Sequence, residues 1–71
     1  MKWRERITFD PQVMGGKPCI RGMRITVGTI LTLLRHKTPD QATEEILRDY
    51  PYLEHEDIDA ALEYEAYLAD R

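Results

Sequence analysis

A single cysteine, Cys19, in a chain of 71 residues is the strictest limit on what this sequence can build. Chains this short bury only about 60% of the surface their unfolded form exposes, and they commonly add disulfides, a metal or a partner chain. One cysteine excludes a disulfide within the chain. The only histidines, His36 and His55, form no ligand-spaced pair with Cys19, so neither a metal nor a cofactor is expected. Apolar packing has to make the core, and oligomerisation or a protein partner is the expected source of further burial. No apolar run approaches the roughly 18 residues of a membrane span, and MKWRERITFD has no signal-like apolar region. The expectation is one soluble cytoplasmic domain over residues 1–71, without a membrane partner.

Charge is divided unevenly along the chain. Residues 1–37 hold eight Lys/Arg against Glu5 and Asp10, while residues 38–71 hold Arg48 and Arg71 against eleven acids. Such a split implies either an electrostatic partner surface on one half or mutual neutralisation of the two halves.

Local patterns divide the chain into a β unit and three helices. Trp3, Ile7 and Phe9 alternate with Arg4, Arg6 and Thr8, the period of a half-buried strand. Asp10-Pro11 ends it, Gly15-Gly16 permits a turn with positive φ, and Pro18 holds Lys17 extended. Arg21-Gly22, flanked by Cys19-Ile20 and Met23-Arg24-Ile25, reads as a tight hairpin. Beyond this β unit (1–26), Val27, Ile30, Leu31 and Leu34 follow helical spacing behind Thr26 as N-cap, giving a helix over 27–37. Thr38-Pro39-Asp40-Gln41 has the pattern of a capping box with proline at the first helical position, opening a helix over 40–50. Its inward positions are Ala42, Ile46, Leu47 and Tyr50, and Pro51 stops it. A third helix over 55–69 has Ile58, Ala61, Leu62 and Leu68 on one stripe and Ala60, Tyr64 and Tyr67 on another. Two stripes imply that it touches its own core and something else. The fold class is mainly α (small α+β), an N-terminal β-strand or hairpin before a three-helix core whose last two helices have helix-turn-helix spacing.

The segment GGKPCIRGMRITV (15–27) could be a phosphate cradle, a nucleic-acid finger or simply a hairpin. A phosphate loop fails, because Gly16-Lys17 is followed by proline and extended chain rather than by a hydroxyl residue and a helix N-terminus. A nucleophilic role for Cys19 has no neighbouring base, and the residue is expected to be a small buried hydrophobe. Glu54, Glu56, Asp57 and Asp59 lack the glycine-centred spacing of a calcium loop and read as a solvated acidic helix start. Those same acids disfavour insertion of the third helix into a DNA groove. Any nucleic-acid or partner contact is therefore assigned to Arg4, Arg6, Lys17, Arg21 and Arg24, with Trp3, Tyr64 and Tyr67 as the dimer or partner interface.

GKPCIRG with Met23, Arg24-Ile25 and Val27, then TPDQATEEILRDYP, then Leu53 and EHEDIDAALEY, together resemble the family called domain of unknown function 433, across about residues 7–64. The resemblance implies a homeodomain-like helix-turn-helix core behind a small β unit, frequent homodimers, and an antitoxin-like role beside a PIN-like ribonuclease toxin. The function expected on this basis is non-enzymatic: neutralisation of such a toxin by protein–protein contact. The alternative is a DNA-binding repressor of its own operon, acting through the basic half. Met23 stands where the family commonly has threonine. Glu54 stands where a better-capping Thr or Ser is usual, which weakens the expected start of the third helix.

Overall fold

The computed structural model describes residues 3–70; Lys2 and Arg71, both counted in the charge split, lie outside them. A two-stranded antiparallel sheet, β1 (Ile7–Thr8) and β2 (Cys19–Ile20), precedes three helices: α1 (Val27–Leu34), α2 (Pro39–Asp49) and α3 (His55–Ala69). The small α+β class read from the sequence is the observed one.

The β unit differs from the expected hairpin in how its strands pair. The alternating run from Trp3 to Phe9 is a strand only at Ile7 and Thr8, which face Ile20 and Cys19. Residues Trp3–Glu5 instead form a 3-10 turn closed by the Arg6 N–H on the Trp3 carbonyl at 3.0 Å. Tertiary packing explains the change: the turn carries Trp3 onto α3, where it is buried (4% exposed), a position straight strand geometry would not reach. Arg21-Gly22 does turn the chain. The Met23 N–H reaches the Ile20 carbonyl at 2.8 Å, with φ of 44° at Arg21 and 72° at Gly22. Two left-handed residues in succession give the turn hand that suits strand twist. The returning arm is not a strand; it pairs with β2 through a bridge between Cys19 and Thr26 and the Ile20 N–H on the Ile25 carbonyl. β2 therefore lies between β1 and the 25–27 segment, and this buries Cys19 and Ile20.

Capping signals in the sequence place the helix starts. The Thr26 hydroxyl accepts the Thr29 N–H at 3.1 Å, and the Thr38 hydroxyl accepts the Gln41 N–H at 3.4 Å. α1 ends at Leu34, three residues short of the expected end. Thr38 must be extended to cap α2 (φ −64°, ψ 150°), so the residues before it are spent on reversing the chain. α3 has the expected span, but its inward face is rotated. Ile58, Ala60 and Ala61 are buried, whereas Leu62 and Leu68, expected in the core, are exposed. Tyr64 and Tyr67 pack against the core in their place. The something else expected to meet the second stripe is the chain's own N-terminal turn: Trp3 lies 4.8 Å from the Tyr64 ring and 5.2 Å from the Tyr67 ring, centroid to centroid.

The core joins Ile7, Ile20 and Ile25 of the β unit to Ile30, Ile46 and Ile58, one from each helix. Ile30 has no exposed surface, so truncating it leaves a cavity at the meeting point of the helices. Ile30→Ala should cost about 3 kcal/mol, measured as the shift in urea midpoint at unchanged slope. Thr38→Ala should cost about 1 kcal/mol in the same assay.

Candidate functional site

Among the described residues Asp57 is the one buried charged side chain, with no exposed surface. It is the third residue of α3, where a carboxylate can turn back to the helix start. Its Oδ2 accepts the Glu54 N–H at 2.9 Å, capping the helix from within. Glu54 therefore does not leave the helix start weak, as its replacement of a Thr or Ser had suggested.

The β unit brings two arginines to the same carboxylate. Arg6 Nη1 donates to Oδ1 at 2.9 Å, and Arg21 donates through Nε to Oδ1 at 3.0 Å and through Nη2 to Oδ2 at 2.8 Å. Each carboxylate oxygen thus accepts two hydrogen bonds, and the arginine fork is bidentate. Arg6 also holds Glu54 at 2.7 Å, and Arg21 Nη2 donates to the Tyr52 carbonyl at 2.9 Å. Burial pushes the Asp57 carboxyl up. The bonds from Arg21, the Glu54 backbone and Arg6 outweigh it and hold the group below the ordinary carboxylate range. Arg6 is raised by its hydrogen bonds to Glu54 and then to Asp57, and Arg21 by its bond to Asp57.

This arrangement alters the list of groups available to a partner. Asp57 is not part of a solvated acidic helix start, although Glu54, Glu56 and Asp59 are exposed. Arg6 and Arg21, expected to face a partner, are bound to the chain's own acid. Arg4 is not on a strand face; its guanidinium lies 4.4 Å from the Trp3 ring centroid and 5.2 Å from that of Tyr67. Lys17 and Arg24 remain exposed, and no ion pair to either forms among the described residues. Trp3, expected at an interface, is buried within its own chain. Tyr64 and Tyr67 are half-buried beside it.

A second feature had no counterpart in the sequence reading. Where α1 passes the C-terminal half of α3, a groove of about 470 Å³ opens between them. Leu31, Tyr64 and Leu68 supply its apolar wall, Lys17 and Pro18 one end, and Arg35 and Glu65 a rim closed by an ion pair of 2.8 Å. No local signal announces a groove, because it depends on how two distant helices cross. Asp57 did leave a trace: it stands three residues after Glu54, and the charge split allowed the two halves to neutralise each other. Among the described residues no three His, Cys, Asp or Glu side chains are grouped to hold a metal ion, and no helix is long and apolar enough to cross a membrane.

A family model described as "Protein of unknown function (DUF433)" matches residues 7–64. The span takes in Arg6's neighbour Ile7, the whole β2 turn, all of α1 and α2, and α3 as far as Tyr64. Neither a curated protein nor a solved structure matches the chain.

Asp57→Asn leaves two arginines facing a neutral group and should destabilise the fold by about 3 kcal/mol, the low end for a broken buried pair because both arginines are partly exposed. Chemical denaturation at neutral pH measures the loss. The folded carboxyl titrates below its unfolded value of about 3.9, so its stabilisation is complete above that pH and disappears as pH falls through the folded value. Unfolding free energy followed from pH 6 downward, pH values about those of ordinary carboxylate titration, should fall less steeply in Asp57→Asn than in the wild type. Parallel acid limbs would mean that other carboxylates carry the dependence.

Proposed function

We propose, from the premise that this chain belongs to the DUF433 family, that it is a binding protein rather than an enzyme: an antitoxin-like component that neutralises a PIN-like ribonuclease toxin by protein–protein contact. The observation that supports this reading is the division of labour among the basic residues of the β unit. Arg6 and Arg21 are engaged by Asp57, while Lys17 and Arg24 are exposed and outside any ion pair among the described residues. A nuclease that uses clustered carboxylates offers such cations charge-assisted partners. A rigid β unit, clamped to α3 by the buried carboxylate, would present them with little loss of backbone entropy on binding.

The same two cations support the alternative, a repressor that binds its own operator. Two phosphate contacts per chain give a salt slope of only about −1.8, shallow for a sequence-specific repressor. Protein contact is therefore the stronger reading.

Co-expression with a cognate PIN-like nuclease tests the proposal. The wild type should restore growth, and Lys17→Glu with Arg24→Glu should abolish protection and weaken toxin binding by roughly 100-fold, with an unchanged thermal midpoint. Undiminished protection by the double variant would remove the role of these cations. Arg21→Glu cannot serve in this test, because it places a second carboxylate against Asp57 and unfolds the β unit. A gel shift with the operator region that shows steep salt dependence would favour the repressor instead.

A further inference from the structure

The groove between α1 and α3 is separate from the Asp57 clamp, and one of its lining residues is a glycine inside a helix. Gly28 lies in the first turn of α1, although glycine destabilises a helix relative to alanine. Neither space nor backbone demands it. A Cβ built there meets only the Thr26 hydroxyl oxygen, at 3.8 Å, and the residue does not have a positive φ. The missing side chain relieves no internal clash; what it leaves is open space in the groove wall.

The walls are mainly apolar, and their polar groups are nearly all committed. The Thr26 hydroxyl meets the Thr29 hydroxyl and N–H at 3.0 and 3.1 Å, and Arg35 holds Glu65 at 2.8 Å. Lys17 is the exception, exposed at one end with no ion pair among the described residues. The left-handed turn at Met14, Gly15 and Gly16 leads into it, and Pro18 keeps it extended.

We propose that this groove binds an aliphatic carboxylate, with its chain along Leu31, Tyr64 and Leu68 and its carboxylate on Lys17. At about 470 Å³ the space falls within the roughly 300–1,000 Å³ of small-molecule sites, which combine apolar walls with a few orienting polar groups. The uncommitted polarity selects the ligand class. A peptide backbone in the groove would bring amide groups that find no free partners on an apolar wall. A phosphate or nucleotide asks for several donors, and the groove offers one uncommitted cation. A neutral hydrocarbon leaves the ammonium unused, and a cationic ligand is repelled by it. An unbranched apolar chain with one carboxylate end meets all of these conditions. The site is independent of the toxin reading, although a carboxylate on Lys17 occupies one of the two exposed cations of the β unit.

Octanoate, well below its micelle concentration, is the probe. Titrated into the full chain by calorimetry, it should bind with a Kd of about 300 micromolar, given its small number of non-hydrogen atoms. Octanol, of the same chain length without the charge, should bind about fivefold more weakly. Lys17→Met should weaken octanoate by that same factor and leave octanol unchanged. Gly28→Leu fills the groove and should weaken both ligands at least about tenfold, while the thermal midpoint holds or rises. Leu68→Glu, at a position already 44% exposed, is a second variant that should weaken octanoate without unfolding the chain. Amide resonances of Leu31 and Glu65 should shift during the titration. No saturable octanoate binding at several millimolar, octanol binding as tightly as octanoate, or undiminished binding in both groove variants would overturn the proposal.

Discussion

The fold depends on one carboxylate. Burying the charge of Asp57 would be costly if it stood alone, and its four hydrogen bonds make that burial tolerable. Three come from Arg6 and Arg21 and one from the Glu54 backbone. These donors come from three places far apart in sequence: the entry to β1, the β2 turn and the start of α3. Asp57 therefore clamps the β unit to the helical part at one point, and apolar packing of Ile7, Ile20 and Ile58 surrounds the clamp. Arg21 takes a left-handed φ of 44°, a conformation L-residues adopt at a cost. That backbone lets one residue form the turn and deliver a bidentate fork to the acid.

A second, apolar attachment reinforces the first. The N-terminal turn folds Trp3 against Tyr64 and Tyr67, and Arg4 covers the Trp3 and Tyr67 rings. The ionic clamp acts at the beginning of α3 and the aromatic one further along it, so the longest helix is held at two levels by residues before Thr8. Much of the positive charge in the N-terminal half is thus used internally. Part of the charge split is therefore mutual neutralisation of the two halves, while Lys17 and Arg24 stay exposed on the β unit.

These constraints also separate the surfaces. The β unit carries the exposed Lys17 and Arg24, α3 an acidic stripe, and α1 a neutral face continuous with the groove. The three zones differ in charge and polarity because each follows from what its own element commits to the core.

Much of the local structure was legible in the sequence. Thr26 and Thr38 marked helix starts through their hydroxyls, Gly22 marked the turn, Pro18 kept Lys17 extended, and one cysteine ruled out an internal disulfide. Each signal acts over a few residues, through backbone dihedrals and nearby hydrogen bonds, so composition and spacing suffice to read it. What tertiary structure decided was the use of those elements. Arg21 and Asp57 are 36 residues apart, and Arg6 and Asp57 are 51 apart; no periodicity couples positions at that distance. The alternation of Trp3, Ile7 and Phe9 predicted a strand because pattern alone cannot register the tyrosines of a helix some sixty residues later. By itself the sequence determined which helices and turns could form. Only their packing decided which charges would be buried, because burial is a property of neighbours brought together by the fold.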